Sequence, residues 1–325
     1  MPLLQKILHK LNGLHYGQEY LCLAKETMQQ PLYVYITSGN NTVEKDITNN
    51  HLFIGYSPLI FAIFETGNTQ IQGNNQVKII FSTAPASPGT PAGKKNILAS
   101  LVMKKTGEHL TAGMAIYYYE GVKGSHKFLP PFNTVIFQLN NYLFNKKSGN
   151  VFLKGNLYRQ VLLAYSLPRK ISVVTVGHGN RFNLFPTDLH GQTGGYYIIS
   201  LRSDGKACRQ VETAKEIVLS DMHVSAYKQV YALGKNHMQE LKEMAAFDFS
   251  DQQSKEFELP LPQNILRYKE LVLESSTIQG IHTLLLFRVV YAEEVVKNDA
   301  TLSHIHNAYA TWRYKNHIAT EYYYR

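Results

Sequence analysis

Short runs rich in Val, Ile, Tyr and Phe recur along most of the chain, and no other feature constrains the fold as strongly. They fall at Leu32 to Thr37, Val77 to Ser82, Ile171 to Val176, Tyr196 to Leu201 and Thr283 to Tyr291. Such runs are strand chemistry, and alternate side chains along them point to opposite faces of a sheet. Between them stand clusters of Gly, Pro and Asn, notably Ser82 to Lys95 and Gly177 to Asn180, which turn the chain. A mainly β fold with a few helices follows. One internal stretch breaks the pattern: from Ser225 to Ala246, Val230, Leu233, Met238, Leu241 and Met244 repeat at helical spacing, which predicts a single long helix. At the N-terminus Leu3, Leu4, Ile7, Leu8 and Leu11 predict a second, amphipathic one.

The strand segments also repeat in order. PLYVYIT from Pro31 is matched by PRKISVVT from Pro168. Thr48 and His51 in TNNH are matched by Thr187 and His190 in TDLH, and GEHLTAGMAIYYYEGV from Gly107 pairs with GIHTLLLFRVVYAEEV from Gly280. Preserved order predicts a duplication. The chain is long enough for two domains, so modules at 1–150 and 151–325 are expected, with a linker region beginning at Pro130 and Pro131.

With 44% hydrophobic and 18% charged residues, the chain can build cores and does not resemble a disordered one. No run approaches the ~20 apolar residues of a membrane helix, Lys6 and Lys10 interrupt the N-terminal apolar positions, and no membrane partner is expected. Cys22 and Cys208 stand alone, which fits a reducing cytoplasm rather than a disulfide framework. The net charge of +9 is spread thin, and residues 1–150 hold 13 Lys against 7 acids and no Arg. Without that planar fork for guanine edges and phosphates, a solvated basic surface is the expectation, with no nucleic-acid partner. No H-E-x-x-H occurs. His304 and His306 would share one face of a strand but lack Cys or carboxylate partners, so no metal is expected. GTPAGKK at Gly89 to Lys95 is one residue short of a phosphate-binding loop and lacks its Ser or Thr. No nucleophile elbow supports hydrolysis. Tyr309, Trp312, Tyr314 and Tyr322 to Tyr324 are expected to cover a ligand or pack into a core.

PRKISVVTVGHGNRFNLFPTDL, from Pro168 to Leu189, resembles the opening of the flavin reductase-like proteins in the FMN-binding split β-barrel superfamily. A Pro-led strand ending in Thr is followed by a Gly-rich turn, then Asn and a Pro with Thr. GIHTLLLFRVV from Gly280 resembles the family's late Gly-Asp-His strand, with His282 on its His. The resemblance covers roughly 160 to 296. It implies two tandem split β-barrel modules, the first divergent, and FMN as cofactor, with FAD as the alternative. It also implies NAD(P)H as co-substrate in two-electron transfer. His282 is the implied catalytic residue. The implied flavin-binding residues are Thr175, Asn183, Phe185, Pro186, Thr187 and Asp188, with Ser200, Arg202, Ser203 and Lys206 around the phosphate. A flavin needs an apolar slot, backbone donors for its ring and cations for its phosphate, and these segments offer them. A homodimer, or an intrachain pseudo-dimer of the two modules, is implied as well, with His109 a relic of His282. Three departures, Ala207 for Thr, Ile281 for Asp and Phe287 for Gly, motivate an alternative: a non-catalytic split-barrel protein that binds a flavin or haem, or has lost its ligand.

Overall fold

The computed structural model describes residues 11–24, 32–66, 75–111, 114–144, 151–297, 301–318 and 320–322. The N-terminal helix expected at Leu3 to Leu11 lies outside them except for Leu11, as do Tyr323 and Tyr324 of the aromatic tail. The chain forms two units, one of residues 1–21, 27–168 and 305–324, the other of 22–26 and 169–304. The crossing between units thus comes after Pro168, and the last segment of the chain returns to the first unit.

The first unit is built on strands β1 (Tyr33–Thr37), β2 (Val43–Asp46), β3 (His51–Tyr56), β4 (Leu59–Thr66), β5 (Gln76–Ser82), β6 (Ile97–Thr111) and β7 (Met114–His126). They pair antiparallel in the order β2-β1-β5-β6-β7-β4-β3. Helices α1 (Pro131–Phe144) and α2 (Asn156–Ser166) follow. The Pro pair does not open a linker. Pro131 is the first residue of α1, where the missing N–H has no intrahelical partner to lose.

The second unit holds β8 (Ser172–His178), β9 (Arg181–Thr187), β10 (His190–Thr193), β11 (Tyr196–Arg202), α3 (Lys206–Ala214), β12 (Glu216–Met222), α4 (Tyr227–Ala232), β13 (Lys242–Glu243), β14 (Ile265–Gln279) and β15 (His282–Glu294). Its eight-stranded sheet runs β10-β11-β15-β14-β12-β8-β9-β13 and is open. Setting aside the two-residue β13, the strands of the two units follow the same order. Alternation decides which face is buried: Val174, Val176, Phe185, Tyr197, Ile199, Leu201, Ile217, Leu219, Leu271, Leu285 and Phe287 all point into one core, sealed by Ala207, Cys208 and Val211 of α3. One sheet curling around a shared core is a split barrel. The chain closes with α5 (Asn307–Lys315) in the first unit, where Trp312 stacks on buried Tyr309 at 5.4 Å. No helix among the described residues is long and apolar enough to cross a membrane.

Two sequence expectations change. The helix predicted over Ser225 to Ala246 is a broken strap: a 3-10 turn at Val224–Ala226, α4, a second 3-10 stretch at Leu233–Met238, β13, and a third at Met244–Ala246. Gly234 and Asn236 interrupt it, and Lys242 and Glu243 leave it to pair with Phe182 and Arg181. Met238 and Met244, assigned to its apolar face, are 54% and 43% exposed. The gapless pairing of Gly107 with Gly280 also shifts. Gly280 (φ 62°) makes the tight turn between β14 and β15, where Gln279 faces His282, whereas Gly107 lies inside β6 and Thr111 faces Met114 at the corresponding hairpin end. His109 is therefore not the topological counterpart of His282.

Candidate functional site

β8 and β9 form a hairpin whose crossing side chains fix the start of the site. Gly177 faces Phe182 in this pairing. A Cβ there would fall 2.8 Å from the Phe182 ring, so packing requires glycine at 177. Thr175 is buried beside Leu184 and Val218, and its hydroxyl has no hydrogen-bond partner among the described residues. Phe185 belongs to the core. Neither lines the cavity beside the strap.

Asn183 is a tether. Its amide donates to Gln210 Oε1 at 2.7 Å and to the Asn236 carbonyl at 3.1 Å, while Asn236 Nδ2 donates to the Leu184 carbonyl at 2.7 Å. One residue on, His237 Nε2 lies 2.7 Å from the Pro186 carbonyl and must carry the proton, since a carbonyl only accepts. Gln210 Nε2 donates to the Gln239 carbonyl at 2.9 Å, and Lys206 pairs with Glu240 at 2.7 Å. Residues 236–240 thus clasp both β9 and the start of α3. Replacing Asn236, 3% exposed, with Ala removes its side-chain bond to the Leu184 carbonyl and is expected to cost about 1–3 kcal/mol. The check is amide exchange in β9 and Leu233–Met238; protection unchanged from the wild type would contradict the clasp.

Beside the strap lies a cavity of about 190 Å³ with Ile171, Pro186 and Val230 as apolar walls and Thr187, Asp188, Tyr231, His237 and His304 as polar ones. Arg169 and His304 are cross-strand partners, which brings both to Asp188. Asp188 Oδ2 is 3.0 Å from the Arg169 guanidinium and 2.8 Å from His304 Nε2, and Arg169 also contacts His304. Tyr231 Oη lies 3.3 Å from His304 Nδ1. Burial alone would raise the Asp188 carboxyl, but Arg169 and His304 hold it well below the usual carboxylate range. Burial and then the Arg169 charge lower His304, against the pull of Asp188. The resting arrangement is a carboxylate beside a neutral imidazole.

A second grouping gathers where β11 meets β15. His282 is buried opposite Arg202, and its Nδ1 lies 3.1 Å from Ser200 Oγ. Thr283 Oγ1 donates to Ser203 Oγ at 2.9 Å. Burial, and then Arg202, push the His282 ring down to about 4, so it is neutral at pH 7. Arg202 grips Asp204 through two bonds of 3.0 and 2.6 Å. Gly205 caps α3, and Lys206 is its first residue.

The expected cofactor residues therefore separate. Pro186, Thr187 and Asp188 line the cavity, and Ser200, Arg202, Ser203 and His282 gather at the β11–β15 end, with Lys206 starting the adjoining helix. Thr175 and Phe185 are core, and Asn183 is a tether. Sequence reasoning missed Arg169, Tyr231 and His237, and weighed His304 only as a metal ligand. Arg169 sits inside the quoted motif, directly after Pro168, but nothing in the sequence reveals that it faces His304 across 135 residues.

No protein-family model matches the sequence, and no curated protein matches it. Among solved structures the chain is similar to an FMN-binding protein from Thermus thermophilus with bound p-hydroxybenzaldehyde: 20% identity over 39% of this chain and 72% of that one, TM-score 0.35. It is similar to the NADH:FAD oxidoreductase SgcE6 from Streptomyces globisporus C-1027, with 15% identity over 46% and 89% and a TM-score of 0.40. For the flavin reductase PheA2 the values are 11%, 53%, 98% and 0.39. The solved structures that this chain resembles are thus FMN-binding and flavin reductase proteins, matched over about 39–53% of its length.

Proposed function

We propose that the second unit binds FMN, or FAD in its place, and takes part in two-electron transfer with a reduced nicotinamide. One observation carries this reading: Pro186 at the end of β9 and Gly205 at the start of α3 both adjoin His237, which supports taking the two groups of expected cofactor residues as neighbours. The phosphate end fits its group. The first N–H groups of α3 favour an anion, with Ser203 beside them and with Arg202 and Lys206 nearby, now paired with Asp204 and Glu240. At the ring end, Pro186, Thr187 and Asp188 offer an apolar wall and polar edges, and His282 is a neutral imidazole. A bound flavin supplies the electron transfer. The chain's own residues bind its phosphate, orient its ring and exclude water from one side.

The shared strand order of the two sheets supports the further reading that the units are copies, with the first a degraded partner. Titration of FMN fluorescence against the full chain tests the cofactor. Saturable quenching is expected, weakened about tenfold in Lys206→Ala, the loss of one charge-assisted contact of about 1.4 kcal/mol. Flavin fluorescence unchanged at saturating protein would refute it. NADH oxidation with added FMN then separates an enzyme from a binding module.

A second reading has its own support. Asn183, Pro186 and Lys206 are all engaged by residues 236–240, and a cavity of about 190 Å³ is below the 300–1,000 Å³ usual for ligand pockets. In that reading the strap has replaced a lost ligand, and FMN does not bind.

A further inference from the structure

We propose that the first unit binds a planar aromatic anion of one or two rings in the cavity between the end of α1 and the start of α2. The cavity measures about 520 Å³, within the ~300–1,000 Å³ usual for ligand pockets. Gln138, Asn141 and Tyr142 reach it from the last turns of α1, and Lys154, Gly155 and Tyr158 from the entry to α2, with Phe152 and Leu153 between. Two bonds tie these walls together. Asn141 Nδ2 donates to the Leu153 carbonyl at 3.4 Å, and Arg159, next to Tyr158, donates to Gln138 Oε1 at 2.9 Å. Each helical wall covers a single turn, about 6 Å along its axis, a length that one or two fused rings match.

The chemistry of the wall selects the guest. Tyr142 and Phe152 meet edge to face with centroids 6.2 Å apart, and Tyr158 is held by stacking on Phe137 at 5.9 Å. Three such side chains around one space favour an aromatic ring. The charge on the wall has one sign. Lys154 lines the cavity and no carboxylate does among the described residues, and neither Lys154 nor Arg159 has an ion-pair partner among them. The start of α2 adds to this field: its N-cap is Gly155, which has no side chain to accept from the first N–H groups, and its first turn holds no acid. The positive end of that helix is left without a neutralising group, and an anion is favoured there. With Gln138 Oε1 already taken by Arg159, the Gln138 amide presents N–H donors to an oxygen of the guest. Glu19 acts on Tyr158, but it stands outside the wall, 64% exposed and 3.9 Å from His306 Nε2. None of these residues belongs to the expected cofactor set, so the site stands or falls separately from the FMN reading.

Equilibrium dialysis of naphthalene-2-carboxylate against the full chain is the test. Saturable binding is expected, with the neutral naphthalene-2-carboxamide bound about tenfold more weakly for want of one charge-assisted contact. Acetate, which has the charge without the ring, is expected not to compete. Lys154→Ala is expected to weaken the carboxylate about tenfold and to leave the carboxamide within about twofold, and Lys154→Arg to keep the preference for the carboxylate. A residue that only supported the fold would move both ligands together. Lys206→Ala is expected to leave naphthalene-2-carboxylate binding unchanged, and Lys154→Ala to leave the FMN response unchanged, which keeps the two readings apart. Absence of saturable binding, equal affinity for carboxylate and carboxamide, or an equal effect of Lys154→Ala on both would each overturn the proposal.

Discussion

Taking the protein from pH 7 to pH 5 is expected to remove about 3–4 kcal/mol from the stability of the first unit, through two buried histidines. His51 is 2% exposed and its ring is lowered to about 4 by burial, partly offset by its bond to the Ile47 carbonyl at 2.7 Å. His126 stacks on Phe128, and both its ring nitrogens are shut from water without a hydrogen-bond partner among the described residues. Burial, and then Arg159, bring it to about 4 as well. In the unfolded chain each titrates near its ordinary value of about 6.5. As pH falls, the unfolded state therefore takes up a proton first. Stability is complete above about 6.5, drains away down to about 4 and changes no further below that on account of these groups. Trp312 belongs to the same unit and is the only tryptophan in the chain, so the urea midpoint read from its fluorescence reports the loss directly. A midpoint that does not move between pH 7 and pH 5 would show that these rings are not held neutral by the fold.

The strands were legible because burial on a curled sheet imposes a period of two. Val174 and Val176 point into the core while Val173 faces the other side, and that alternation is written in ISVVTV. Even the shared order of strands left a trace in the repeated segments. The strap was misread because helical spacing records only which side chains are apolar. Val230 is buried as expected, but Asn236 and His237 turn their side chains onto backbone carbonyls of β9, and such side-chain to backbone bonds compete with helix continuation. Where the two hairpins align depended on which glycine makes the turn, and that is decided by a positive φ at Gly280 rather than by similarity of neighbouring letters.

The site was half legible for a related reason. Residues carried by one strand, such as Pro186, Thr187 and Asp188, stay together however the sheet curls. Tyr231 comes from the strap and His304 from the short strand Leu302–His306, and they reach the same cavity through pairings such as Arg169 with His304. Thr175 and Phe185 lie on the same hairpin but their burial in the structure withdraws them from the cavity. His282 is a residue type suited to catalysis, but its burial and the nearby Arg202 charge keep it a neutral imidazole.

Replacing Asp188 with Ala is expected to cost about 3–5 kcal/mol, more than replacing Arg169 with Ala, because the two charges differ in what they can do when left alone. The Arg169 side chain is 3% exposed, and a guanidinium cannot shed its proton, so removing the carboxylate takes a compensating negative charge from a buried cation. The Asp188 side chain is 23% exposed, and a carboxylate that loses its cation can take up a proton. Asp188→Asn retains an acceptor for Arg169 and is expected to fall between wild type and Asp188→Ala. The acid dependence separates charge from shape. A carboxyl held below its ordinary value contributes stability in full above about pH 4, and that contribution is lost as pH falls through its folded value. The gap between wild type and Asp188→Asn should therefore narrow in acid, while part of the Asp188→Ala deficit remains. Unfolding followed by amide exchange in β8 and β9 measures all three variants. Arg169→Ala proving the costlier, or a gap that stays constant into acid, would mean that Asp188 serves as a packing group and that its charge contributes little to holding the strand end, the strap and His304 together.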